Sequence, residues 1–373
     1  MAAVPPRAYQ GPQRDRDKER TMPSNDRSCF SVWLTALPIL VVALASCSGA
    51  PGAAPAGEPA TAPLPASSAR TSPALTCTVA PSSTIQDGVN SPQSVAFDGD
   101  GNLYVANFQA STVTVYSGAD HHLRTTISGA VVQPTAIALD GRGKLYVANS
   151  NSIVTVFEAP SGHFVREIDQ GGPIPQVLAF DGHGNLYVAE FHKSGISVYP
   201  PGSDKPSRTI TKGVDRPFAL AFDAFGHLYV ANHGANTVTA YAPGNDSPIR
   251  TISRFVSGPT SIALDGFGNV YVANSTDNSV TVYGPHGSDP ARELFRGVSR
   301  PTSLAIDSSD NLFVGNSGIG ERSITVYAPK LSRPIQTLCP DVTIPVALSF
   351  DSRGSLYVAN TASKKVTVFP PLP

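Results

Sequence analysis

Tryptophan is almost missing from this chain: the single one, Trp33, lies in an N-terminal apolar segment. Methionine occurs twice and cysteine four times. Only 15% of residues are charged and the formal net charge is −1, so no broad field selects nucleic acid or an anionic membrane, and no nucleic-acid partner is expected. No long helical heptad pattern occurs, and no apolar run is long enough to span a bilayer by itself. No glycine-rich loop opens a helix, no serine nucleophile elbow appears, and the histidines match no metal-ligand spacing.

What the chain does contain divides into three parts. Residues 1–27 are polar, and Val32 to Ala45 form an apolar run, "VWLTALPILVVALA". That run has the length of a signal-peptide h-region, with Arg27 as the n-region charge. Residues 1–46 are therefore expected to be a signal peptide, with Met22 as an alternative start that gives a signal of ordinary length. From Ser48 to about Ser72 the chain is Ala, Pro, Gly and Ser with almost no large apolar side chain. Such composition cannot bury a core and suits a disordered linker, here residues 47–76.

Residues 77–373 repeat. The Asp of an "FD/LD" step recurs at Asp98, Asp140, Asp181, Asp223, Asp265, Asp307 and Asp351, with gaps of 42, 41, 42, 42, 42 and 44. Nine residues after each comes the end of a "YVAN" step: Asn107, Asn149, Glu190, Asn232, Asn274, Asn316 and Asn360. A fixed period near 42 residues, with four short β-prone runs per unit, predicts a β-propeller. In the fifth unit the strands are expected at Ser261–Leu264, Asn269–Ala273, Val280–Tyr283 and Ala291–Phe295. The seventh unit lacks a fourth strand. "PSSTIQDGVNSP" at Pro81 matches "PSRTITKGVDRP" at Pro206, so residues 81–87 are expected to supply it. The fold class is thus all-β: a seven-bladed propeller of four-stranded antiparallel blades, the last closed by an N-terminal strand. Closure removes the edge that an open array would present.

The Pro before strand one, the Asp-Gly-x-Gly-Asn/Ser turn and "LYVAN", as in Gly101–Asn107, resemble the NHL and YVTN families of propellers. That resemblance covers about 290 residues and implies a binding platform, in some cases an extracellular sensor domain, and in a few relatives an enzyme. No Trp-Asp pair of the WD type exists here. Similarly, Leu44-Ala45-Ser46-Cys47 resembles the lipobox of bacterial lipoproteins, which implies acylation at Cys47 and attachment to a membrane. Ordinary secretion after Ala43-Leu44-Ala45 and an uncleaved anchor are the alternatives.

The recurring Asp, Gly and Asn are read as turn chemistry, because a catalytic group is needed once and these occur in nearly every unit. Function is expected where copies differ, at the channel mouth. The position after each opening Pro is expected to line the channel: Gln93, Thr135, Gln176, Phe218, Thr260, Thr302 and Val346. It holds no carboxylate and no histidine. The lactonase propellers that this architecture resembles hold a divalent ion with Asp, Asn and Glu, so no metal and no cofactor is expected. The one broken copy is Glu190-Phe191-His192-Lys193, with His233 in the next unit. Glu190, His192 and His233 are the candidate catalytic residues of an alternative reading, a metal-dependent lyase or lactonase. Streptogramin lyases of the virginiamycin type are seven-bladed propellers using His, Glu and Mg²⁺, although their "LWFTE" step is absent apart from the Glu in "LYVAE".

Cys29 leaves with the signal and Cys47 is lipidated, which leaves Cys77 and Cys339. Both flank outer strands of neighbouring blades, and in an exported protein such a pair is expected to be a disulfide. The leading expectation is a monomeric, lipid-anchored envelope protein whose propeller is a non-catalytic scaffold binding a protein or a small molecule.

Overall fold

The computed structural model describes residues 77–372 apart from positions 119, 171, 173 and 193. The expected signal peptide, Cys47 and linker lie outside the described residues. The chain opens with β1 (Ser83–Ile85) and then builds six complete blades. Blade one is β2 (Pro92–Phe97), β3 (Leu103–Asn107), β4 (Thr112–Tyr116) and β5 (Leu123–Ile127). Blade two is β6 (Pro134–Leu139), β7 (Lys144–Asn149), β8 (Ile153–Glu158) and β9 (Phe164–Asp169). Blade three is β10 (Pro175–Phe180), β11 (Leu186–Glu190), β12 (Gly195–Tyr199) and β13 (Arg208–Ile210). Blade four is β14 (Pro217–Phe222), β15 (Leu228–Asn232), β16 (Thr237–Tyr241) and β17 (Arg250–Ile252). Blade five is β18 (Pro259–Leu264), β19 (Val270–Asn274), β20 (Ser279–Tyr283) and β21 (Pro290–Leu294). Blade six is β22 (Pro301–Ile306), β23 (Leu312–Asn316), β24 (Ser323–Tyr327) and β25 (Gln336–Leu338). Blade seven holds β26 (Pro345–Phe350), β27 (Leu356–Asn360) and β28 (Lys365–Phe369), with β1 as its fourth strand.

The fifth unit matches its expected strands to within two residues at each end. The expected closure is also present: Ser83, Thr84 and Ile85 pair antiparallel with Val368, Thr367 and Val366. First strands of successive blades touch all the way round, β26 against β2 included. Each second and third strand is almost wholly buried, whereas the fourth alternates buried and exposed positions and forms the outer rim. No described helix is long and apolar enough to cross a membrane.

The repeated Asp does what a turn residue should. Asp98 Oδ1 accepts from the backbone N–H of Asp100 and Asn102, at 3.0 and 2.8 Å. Its Oδ2 accepts from the Asn102 amide at 2.8 Å and from the Tyr104 hydroxyl at 2.9 Å. Asp265 repeats this set with Phe267, Asn269 and Tyr271. Burial, with Asp265 beside it, pushes the Tyr271 phenol up to about 12, which keeps that hydroxyl a donor. Gly101 and Gly268, at φ of +81° and +79°, take the left-handed position that closes these turns.

Neighbouring blades are tied by arginines at one register of the outer strand. Arg166 donates to the Ser203 carbonyl, Arg208 to the Asn245 carbonyl and Arg292 to the Leu331 carbonyl, at 2.8, 3.0 and 2.8 Å, each in the next blade. Arg250 reaches the Pro285 carbonyl in the same way at 2.5 Å. Gln336 and Ser83 occupy this register in blades six and seven, and the seam there is held differently. Cys77 and Cys339 form a disulfide with Cα atoms 5.4 Å apart, as the sequence led us to expect. Thr78 N–H donates to the Thr337 carbonyl at 2.9 Å, and Val79 makes a parallel bridge with Leu338. From blade seven to blade one, Arg353 donates to the Gly118 carbonyl at 2.6 Å, and His121 Nε2 lies 2.7 Å from the Tyr357 hydroxyl.

The disulfide closes a separation of 262 residues. The chain-entropy account gives such a link on the order of 4–5 kcal/mol. Cys77→Ser is therefore expected to lower the thermal midpoint by roughly 6–8 °C. Circular dichroism melts with and without reductant check this, with the reduced wild type matching the variant.

Candidate functional site: the channel-mouth face

The blade links and the turns between second and third strands lie on one face, since Phe108 N–H donates to the Ser91 carbonyl and Ser275 N–H to the Gly258 carbonyl. The conserved geometry of this face comes from the Asn that ends each second strand. Asn274 Oδ1 accepts from the Ser257 N–H in the preceding link at 3.0 Å. Its Nδ2 donates to the Val272 carbonyl and to the hydroxyls of Ser279 and Thr281 on the third strand. Asn107, Asn149, Asn232, Asn316 and Asn360 repeat the clamp, each accepting from the N–H seventeen residues upstream. All six are fully buried, so these amides position backbone and are closed to a ligand.

Glu190 breaks the pattern. A carboxylate reverses the bond to the third strand: Ser197 now donates to Glu190 Oε1 at 3.2 Å. Glu190 is only 1% exposed. Of the three candidate catalytic residues, it lies inside the blade while His192 is exposed on the turn. Among the described residues no group of three or more His, Cys, Asp or Glu could hold a metal ion.

The channel position has a structural signature that sequence reasoning missed. In every blade the pairing of first and second strands slips at this residue, so Gln93, Thr135, Gln176, Phe218, Thr260, Thr302 and Val346 each sit on a β-bulge. A bulge re-aims a side chain and bends the strand. Three of these residues turn inward to the fold: the hydroxyls of Thr135, Thr260 and Thr302 donate to the carbonyls of Pro175, Pro301 and Pro345 in the next blade, at 2.7, 2.9 and 2.6 Å. Gln93 is 8% exposed, and its Oε1 is buried without a hydrogen-bond partner among the described residues.

Blades three and four carry the sector that differs most. The Phe191 ring meets the His192 ring at 5.0 Å and the Phe218 ring at 5.3 Å, both edge to face. Phe218 in turn lies 4.9 Å from His233 with the planes tilted by 37°. Four aromatic rings therefore run continuously across the blade boundary, whereas blades two, five, six and seven carry Ser or Thr after the clamp residue and blade one carries Phe108. His233 Nδ1 lies 3.4 Å from the Pro259 carbonyl, and burial holds its pKa below the ordinary histidine value. On the opposite face, His121 is held below that value by burial and by Arg353. That histidine is half-buried at the ring seam, against the Tyr357 hydroxyl.

No protein-family model matches the chain, and no curated protein matches it. Among solved structures, the chain is similar to one of the mitotic checkpoint complex, with a TM-score of 0.68 and 12% identity over 88% of this chain and 99% of that one. It is also similar to a streptogramin B lyase, with a TM-score of 0.66 and 11% identity over 77% of this chain and 95% of that one. At such identities the likeness is one of fold: the protein is a seven-bladed β-propeller.

Two variants test the site's construction. Asn274→Ala leaves a buried N–H and two hydroxyls without their partner and is expected to cost about 1–3 kcal/mol, read from denaturant midpoints. His233 and His121 bind protons less readily folded than unfolded. Stability from them is present above the unfolded value of 6.5 and is lost as pH falls through their lower folded values. A double variant, His121→Phe with His233→Phe, is expected to flatten that acid-side loss in melts taken between pH 7.5 and 5.

Proposed function

We propose that this protein is a non-catalytic binding scaffold of the bacterial cell envelope, with an NHL-like propeller carried on a lipid-anchored tether. One observation carries the binding reading: the face made by the blade links keeps its backbone clamps in six blades, and in blades three and four presents the rings of Phe191, His192, Phe218 and His233. Aromatic side chains give contact area at low entropic cost and suit a ligand with an apolar or planar group. The anchored reading rests on Leu44-Ala45-Ser46-Cys47 and the Ala/Pro-rich stretch that follows.

The enzymatic alternative requires Glu190 and a histidine to share an ion or a proton. The direct bond between Ser197 and the buried Glu190 carboxylate favours a structural role for it. Elemental analysis of the purified chain after dialysis against divalent metals separates the two readings. The scaffold reading predicts less than about 0.1 equivalent of retained metal, whereas a stoichiometric ion lost in Glu190→Gln would overturn it. Cys47→Ala is expected to move the protein from the membrane fraction to the soluble fraction; unchanged partition would remove the anchor from the account.

A further inference from the structure

The turn that joins the third and fourth strands of blade six departs from its equivalents in charge and in backbone. Residues 328–335, "APKLSRPI", carry Lys330 and Arg333 and no carboxylate. The same turn carries Asp120 in blade one, Asp204 in blade three, Asp246 in blade four and Asp289 in blade five. Three residues after the Tyr that ends the third strand, blades three and four place Gly202 and Gly244, at φ of +76° and +77°. Lys330 takes that position at +63° and is exposed. A lysine held where the backbone favours glycine costs stability, so the turn is not built for its own sake alone.

Beside the two cations stand Leu331 and Ile335, 47% and 44% exposed. Neither the Lys330 nor the Arg333 side chain has an ion-pair or hydrogen-bond partner among the described residues. The turn itself is fixed. Leu331 N–H donates to the Ala328 carbonyl at 3.2 Å, the Leu331 carbonyl accepts from Arg292 at 2.8 Å, and Ile335 N–H donates to the Val326 carbonyl at 2.8 Å. Two uncompensated cations with two exposed aliphatic side chains match an anionic lipid surface: charge for the head groups, methyl groups for the acyl boundary below them.

The place of this turn in the ring is a second, independent argument. Cys77 is bonded to Cys339, and Val79 bridges Leu338 in parallel. A segment parallel to β25 enters the rim from the end where β25 starts, the end that carries residues 328–335. Residues 48–76, 29 in number, separate Cys47 from Cys77. Fully extended, that length reaches about 100 Å. A tether of such reach does not orient the ring, so orientation falls to the ring's own surface.

We propose that this turn is a membrane-contact patch, resting on an anionic bilayer surface beside the point where the tether meets the ring. The proposal rests on the lipid-anchored reading and extends it: the acyl group holds the chain to the membrane, and the patch sets which side of the ring meets it. Strands alternate in direction within each blade, so the turns between third and fourth strands lie on the side opposite the channel mouth. Contact through Lys330, Leu331, Arg333 and Ile335 therefore turns the channel-mouth face away from the lipid. Each cation at such a surface strengthens attachment about fivefold.

The test uses the full chain as its host exports it, with the disulfide intact, floated with vesicles of phosphatidylcholine or of phosphatidylglycerol. Amide exchange at Lys330, Ser332 and Arg333 is expected to be at least about fivefold slower on phosphatidylglycerol, and high salt should erase the difference. Lys330→Gly combined with Arg333→Ser suits the left-handed turn position and removes both charges. It should abolish the difference with a thermal midpoint no lower than that of the wild type. Flotation with both lipids but equal exchange on both, slowing confined to residues 233–236 of the channel-mouth face, or the same slowing with free glycerol phosphate would each overturn the patch and leave the anchor. Flotation with phosphatidylglycerol alone, with slowing at the patch, would remove the anchor and support the patch. No flotation with either lipid would overturn both.

Discussion

A ring of blades has to close, and here three residue pairs between β1 and β28 do it. Every other element depends on that pairing, because each blade is stable only with a neighbour on both sides. A four-stranded sheet buries one face against the blade before it and the other against the blade after. If β1 leaves, β28 becomes an open edge and blade seven loses its outer layer. The short strand is held by what precedes it: the disulfide, the Thr78 hydrogen bonds and the Val79 bridge fasten it to blade six. The same segment therefore clips two blades before completing one of them. This clip stands at the seam between blades six and seven, where Gln336 holds the register that Arg166, Arg208, Arg250 and Arg292 occupy in blades two to five.

Much of this was legible in the sequence, for physical reasons that apply to particular residues. The period near 42, the strand alternation and the glycine-bearing turns follow from local chemistry that nearly every copy repeats. The closing strand was visible because Pro81–Pro92 repeats Pro206–Pro217 in its turn and strand residues. Cysteine pairing followed from placing both residues beside outer strands of adjacent blades. The bulge at Gln93 and its six equivalents was not visible, since a one-residue slip in register leaves no mark on composition. The arginine ties were also missed: Arg166, Arg208, Arg250 and Arg292 alternate with exposed residues on a polar strand, and only the fold reveals the carbonyls that they reach.

The candidate site was half legible. Glu190 marked the blade that departs from the rest, but its meaning changed once the clamp was seen. In six blades the amide takes an N–H from the link and gives its own hydrogens to the third strand. In blade three the acid that replaces the amide accepts from Ser197. The departure is thus a change within the clamp, from an amide that donates to the third strand to an acid that accepts from it. The aromatic run from His192 to His233 was not predicted as a unit, because Phe218 sits on a strand far in sequence from Phe191. It is the feature of this face that differs in kind from blade to blade.

The central claim is that the closing segment belongs to one cooperative ring and is no peripheral addition. Native-state hydrogen exchange measures this directly. The amides of Thr84 and Ile85 are predicted to exchange with the same opening free energy as those of Val230 and Val272 in the buried second strands, and to respond in parallel to denaturant. Exchange of β1 amides through a low-energy local opening, with blades four and five still protected, would contradict the account.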